Sequence, residues 1–123
     1  KLLRPEERMP ILDKKDVSKG EFGTADRWTL VSSDNGADSL TVADLVLEPG
    51  AIVPVHVHPK EEAMVIVEGE LEAILGDQII TVSEWQTVLA PPGVRHGFKN
   101  TSGSVARVMA IHPTAHVQRT LVD

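Results

Sequence analysis

The chain of 123 residues has no cysteine, which excludes a disulfide scaffold, a thiolate zinc site, an iron–sulfur cluster and a cysteine nucleophile. It has no tyrosine, and its only aromatic rings besides histidine are Phe22, Trp28, Trp85 and Phe98, so stacking is at most a small part of any ligand site. No apolar run approaches the roughly 18 residues that a membrane span requires. The opening segment 1–8 is charged and lacks the apolar stretch of a signal peptide, so cytoplasm is the expected compartment. Basic residues are few, 12 against 18 acidic ones, for a net charge of −6. A duplex binder needs a basic face, so neither nucleic acid nor membrane is an expected partner.

What is present fits one globular domain. Forty-one per cent of the residues are apolar and 24% charged, which is enough apolar material for a core and argues against wholesale disorder. Residues 1–20 are polar, hold Pro5 and Pro10, and read as an N-terminal arm ahead of a domain over 21–123. From there, short β-branched runs alternate with turn clusters. The runs are 28–32, 40–47, 52–56, 63–67, 71–75, 79–82, 87–89, 96–99 and 105–111. The clusters include Asp34-Asn35-Gly36, Glu48-Pro49-Gly50, Gly76-Asp77 and Pro91-Pro92-Gly93, which supply fixed or positive φ. Short strands at such spacing, with no long 3.6-residue stripe, predict an all-β sandwich or barrel. Gly76-Asp77 predicts a tight hairpin, and Pro54 inside a run predicts an edge or a bulge. The polar tail after Pro113 is expected on the surface.

The chemistry concentrates in histidines. His56 and His58 stand two apart, so on an extended strand both imidazoles share a face. Glu62 has the same parity, and Met64 and Ile66 follow it as an apolar wall. His96 lies far along the chain, but a barrel can bring it opposite the pair, with Phe98 on the same face. Three imidazoles and a carboxylate suit one divalent first-row ion: iron, manganese, nickel, cobalt, zinc or copper. Four ligands on an ion that prefers six leave positions for water or substrate.

The stretch Gly50-x5-His56-x-His58-x3-Glu62-x6-Gly69 resembles the first motif of the cupin superfamily, and Pro91-x-Gly93-x2-His96-x3-Asn100 resembles most of the second. The separation of the two, residues 70–84, is similar to that of small single-domain bacterial cupins. The resemblance implies a double-stranded β-helix, or jelly-roll, barrel in which His56, His58, Glu62 and His96 bind the metal. It also implies a homodimer, with residues 1–20 suited to cross between subunits. One position departs from the pattern: Trp85 stands where the second motif opens with glycine. A large ring is costly at positive φ, so the turn is expected either to change shape or to have ordinary backbone there.

The remaining candidates are weaker. His112 ends the last strand and is expected as a surface residue, although it could serve as an acid, base or shuttle at the pocket mouth. Arg95 should point away from His96, Arg107 reads as an exposed charge or a buried carboxylate clamp, and Asn100 as a turn closer. The expected function is a metal-dependent cupin acting on a small chelating molecule: a diketone, an enol, or a hydroxy- or keto-acid. Dioxygenase chemistry leads, with isomerase or lyase chemistry close behind, and Glu62 doubles as ligand and catalytic base. The alternative is a non-catalytic module that holds a small ligand at the same metal.

Overall fold

The computed structural model describes residues 2, 4 and 9–123. Eleven strands form among them: β1 (Lys19–Phe22), β2 (Ala25–Val31), β3 (Thr41–Leu47), β4 (Ile52–Val57), β5 (Glu62–Glu68), β6 (Glu70–Leu75), β7 (Gln78–Ser83), β8 (Thr87–Ala90), β9 (His96–Lys99), β10 (Ala106–His112) and β11 (Thr120–Leu121). A six-stranded sheet runs β1-β2-β3-β10-β5-β8, and a five-stranded sheet runs β11-β4-β9-β6-β7. The paired strands are antiparallel. The two sheets face each other as a cupin-type jelly roll and share no ladder, so the barrel is open along its edges. No described helix is long and apolar enough to cross a membrane.

All nine predicted runs are strands, and several alternate an inward apolar residue with an outward one. In β10, Ala106, Val108 and Ala110 are buried, while Arg107, Met109 and Ile111 face outward. The core between the sheets is built from Leu45, Leu47, Val53, Met64, Ile66, Leu71, Phe98 and Val108 with several alanines. Each large side chain buried there contributes about 1.5–3 kcal/mol of transfer free energy. Gly76-Asp77 joins β6 to β7 as expected, with Gly76 at φ 61°. Pro54 produces a register shift between Val53 and His56 against β9, which is the predicted bulge.

Three expectations change. Trp85 keeps the left-handed backbone of the glycine it replaces, at φ 67°, instead of an altered turn or ordinary backbone. Its N–H donates to Ile66 O at 2.7 Å, and its ring projects into solvent, where bulk costs nothing. The tail after Pro113 does not simply lie on the surface. Ala115 is buried, β11 pairs with β4, and Arg95 donates to the main-chain oxygen of Asp123 at 2.6 and 2.9 Å. Strand pairing also begins earlier than the arm allowed, since Lys19 and Gly20 already belong to β1. Most of the arm's first eight residues, on which the subunit-crossing expectation falls, lie outside the described residues.

Candidate metal centre

Strand register brings the site together at one end of the barrel. His56, near the end of β4, is the direct cross-strand partner of His96 at the start of β9. In the other sheet Ile111 pairs with Ala63, so His112 and Glu62 sit side by side at the next position. His58 lies one residue past β4. Two sequence-distant pairs, one from each sheet, therefore meet across the barrel interior. His56, His58, Glu62 and His96 are all buried, and one ligand atom from each lies within 4.8 Å of all the others.

Hydrogen bonds preset the imidazoles. His56 Nδ1 faces Pro54 O at 2.7 Å, His58 Nδ1 faces Gln118 O at 2.7 Å, and His96 Nδ1 faces Val94 O at 2.9 Å. A carbonyl only accepts, so each Nδ1 carries the proton and each Nε2 is left with a lone pair. His96 Nε2 is 2.8 Å from Glu62 Oε1. His58 Nε2 is 3.2 Å from the same oxygen but outside hydrogen-bonding geometry, and it is a buried nitrogen without a hydrogen-bond partner. Lone pairs and a carboxylate aimed at one point repel one another unless a proton or a cation sits among them. An N₃O set of this kind fits a first-row divalent ion, and the orphaned His58 nitrogen is accounted for by one.

The titration behaviour has the same origin. Burial pushes His56 down to about 4, with the neighbouring imidazoles adding to it and the Pro54 contact opposing. His96 is likewise penalised by burial, but its contacts with Glu62 and the Val94 carbonyl together outweigh this and raise it. Burial pushes the Glu62 carboxyl up, yet its contacts with His58 and His96 and the charges of His112 and His96 hold it well below the usual carboxylate range.

His112 is not the surface residue expected. It is buried, and its Nε2 is 3.3 Å from Glu62 Oε2. Burial drives it down to about 4, only partly offset by Glu62, so the ring is neutral near pH 7. Its parity with Ala106, Val108 and Ala110 was the available signal, because an inward strand position continues inward to the strand's end. Met64 and Phe98 line the chamber as expected, whereas Ile66 does not. Ile66 has the right parity but lies two residues further down β5 than Met64, fully buried in the core. Arg107 neither clamps a ligand nor stands free. It pairs with Asp44 on the outer face at 3.0 Å. Arg95 points away from the site, as expected, and binds Gly76 O and the tail.

Sequence reasoning missed Phe22, Arg27 and Arg119. Phe22 packs edge-on to His56 with ring centres 4.8 Å apart, and the Arg119 guanidinium stacks over Phe22 at 4.1 Å. Arg27 is the cross-strand partner of the core residue Leu45, so it shares Leu45's inward face. The predicted run began at Trp28, one residue too late to reveal this. The chamber above the cluster is narrow, with about 20 Å³ of space for water centres, room for one or two molecules. A larger pocket of about 270 Å³, lined by His58, Lys60, His112, His116 and Gln118, opens beside it.

Fold and site together define a double-stranded β-helix barrel with a three-histidine, one-glutamate group of metal-binding type. The profile described as Cupin domain matches residues 43–112, and the chain belongs to the cupin family. Among curated proteins, it is 29% identical to polyketide synthase CurC of Streptomyces cyaneus over 104 residues, 83% of this chain and 68% of that protein. Among solved structures, polyketide cyclase RemF of Streptomyces resistomycificus superposes with a TM-score of 0.77 at 22% identity, covering 94% of this chain and 87% of that one. Oxalate decarboxylase of Lactobacillus farciminis superposes with a TM-score of 0.79 at 17% identity, covering 88% of this chain and 34% of the much longer enzyme. At these identities the structural likenesses show the fold.

Proposed function

We propose that this cupin is a metal-dependent enzyme that closes a ring in a β-polyketone, an isomerase- or lyase-type reaction on a chelating diketone or its enol. The observation that carries the reading is the convergence of three Nε2 lone pairs and Glu62 at the foot of a narrow chamber. Neutral His112 stands beside them, lining both the chamber and the outer pocket. The names of CurC, a polyketide synthase, and RemF, a polyketide cyclase, support the choice of substrate class.

His56, His58, Glu62 and His96 would hold the ion, which would supply Lewis-acid polarisation of the substrate's oxygens. The chamber walls Met64 and Phe98 exclude bulk water, and the narrow bore admits only the chelating end of the substrate. His112 Nε2 stands beside that end and takes a proton from the α-carbon of a polarised carbonyl, the one placed to close a six-membered ring; Glu62, 3.3 Å away, is the alternative base. The carbon then attacks a carbonyl further along the chain, a carbon–carbon bond forms, and water leaves. No oxidant is consumed.

The linear triketone diacetylacetone tests this, because its ring closure gives a phenol and water. Protein carrying one ion per chain should form the phenol without oxygen uptake, and His112→Gln should lose most of that rate at unchanged metal content. Oxygen uptake in step with triketone loss would instead establish dioxygenase chemistry. Binding without turnover would establish a ligand-holding module.

A further inference from the structure

Two guanidiniums stand at the mouth of the metal chamber, and among the described residues no carboxylate lies within ion-pairing distance of either. Arg27 and Arg119 line both the inner chamber and an outer basin that also presents Thr29, Ser32, Ser33 and Thr41. Arg27 is half-buried and points inward from β2, and Arg119 is held over the Phe22 ring by the returning tail. Neither forms an ion pair or a side-chain hydrogen bond among the described residues. Arg95 and Arg107 behave differently: Arg95 binds Gly76 O and Asp123 O, and Arg107 binds Asp44. Asp34, the acidic residue of the basin lining, makes no ion pair with either guanidinium.

The charge arrangement calls for an anion. Two guanidiniums share a mouth half shielded from water with the carboxylates of Glu62 in the chamber and Asp34 in the basin, and a divalent ion held by the histidines would add to the positive side. Burial holds both arginines below their ordinary values, the nearby Arg119 charge adds to this for Arg27, and the Glu62 charge only partly opposes it for both. Two like charges kept together this way repel each other, and within the described structure only the Phe22 ring under Arg119 and the more distant Glu62 charge offset it. A guanidinium presents paired N–H donors that match a carboxylate, and a site at the rim of a chamber places that carboxylate a few atoms from the chelating end.

We infer that Arg27 and Arg119 form a carboxylate-recognition subsite, so that the substrate is a β-diketone bearing an acid group, bound by its diketone in the chamber and by its carboxylate at the rim. The inference rests on the ring-closure reading for the diketone and on the arginines alone for the carboxylate, so the two can fail separately. It assigns Arg27 and Arg119 to specificity and leaves the metal ligands untouched.

Isothermal titration calorimetry on protein loaded with one zinc per chain tests it with three probes: succinylacetone, its methyl ester, and succinate. Succinylacetone should bind at least about tenfold tighter than its ester, the effect of one charge-assisted hydrogen-bonded pair. Arg119→Gln and Arg27→Gln should each remove most of that preference, with zinc content and ester affinity unchanged. Arg119 is at the surface, so its variant keeps the test decisive even if Arg27→Gln folds poorly. Equal affinity for acid and ester, or a preference that survives in Arg119→Gln and Arg27→Gln alike, would overturn the subsite while leaving the diketone reading standing. Arginine-dependent binding of succinate with no binding of the ester would uphold the subsite and overturn the diketone reading.

Discussion

Asn100 provides the sharpest test of how the second motif holds the barrel together. Its side chain is fully buried and spends all its hydrogen-bonding capacity on main chain and loop. Nδ2 donates to Leu47 O and to Ser104 O, both at 2.8 Å, and Oδ1 accepts from Ser102 N at 3.0 Å and from Ser102 Oγ at 2.7 Å. Its own main chain bridges Gly50 and Ala51. One residue thus ties the end of β3, the turn before β4 and the loop before β10, at the end of the barrel opposite the metal cluster. In Asn100→Ala the buried Leu47 carbonyl loses its side-chain partner, at about 1–2 kcal/mol, and the three part-exposed bonds lose about 0.5–1 kcal/mol each because water replaces them in part. The sum is about 2.5–5 kcal/mol, which for a domain of this size lowers Tm by about 10–20 °C. Asn100→Asp should be at least as damaging, since it removes both donors and buries a charge. Thermal and urea unfolding measure the loss, and elemental analysis should show metal content unchanged. A loss below about 1 kcal/mol would refute the tie. An intact fold that no longer holds metal would place Asn100 in the site.

Three further outcomes are expected. His56→Ala should lose most bound metal while keeping the barrel's circular dichroism spectrum, and full occupancy at unchanged affinity would refute the ligand assignment. Burial pushes the Asp44 carboxyl up, but Lys14 and Arg107 outweigh that and hold it below its ordinary value. Its stabilising contribution is therefore complete above the unfolded carboxylate value, about 3.9, and is lost as pH falls through the lower folded value. Asp44→Asn should accordingly be less stable at neutral pH by about 1–2 kcal/mol and flatter in acid, and parallel acid-unfolding curves for the two proteins would contradict this. Trp85→Gly relieves about 1 kcal/mol of left-handed backbone strain but loosens the unfolded chain by about 0.5–1 kcal/mol, so it should match the parent in stability. Trp85→Ala keeps both the strain and the stiffer unfolded chain and loses only a solvent-exposed ring, so it should also lie within about 0.5 kcal/mol of the parent, and a loss above about 1 kcal/mol in urea unfolding would contradict this reading.

The Trp85 turn and the C-terminal tail show where reading ahead of the structure stops. A glycine-to-tryptophan departure suggested that the turn had changed. The pairing of Ile66 with Gln86 and Trp85 across that turn instead imposes the left-handed conformation on whatever residue stands there. The tail looked polar, and it is. Its role as a wall comes from main-chain atoms, Gln118 O on His58 and β11 on β4, which composition does not report.

Strand alternation, turn chemistry and the histidine spacing by themselves determined the all-β class, the nine central strands, the Gly76-Asp77 hairpin, the Pro54 bulge and the shared face of His56, His58 and Glu62. These are local properties: side chains alternate with period two, and glycine and proline restrict φ residue by residue. Only the tertiary structure decided which distant residues meet. Cross-strand register, which depends on the packing of both sheets, set His96 against His56 and His112 beside Glu62. It left Ile66 below the chamber and Arg107 on the outer face with Asp44, and it brought Arg27 and Arg119 to the rim. A residue's parity names its face, but its depth along the barrel and its neighbour across the sheet depend on where every other strand lies.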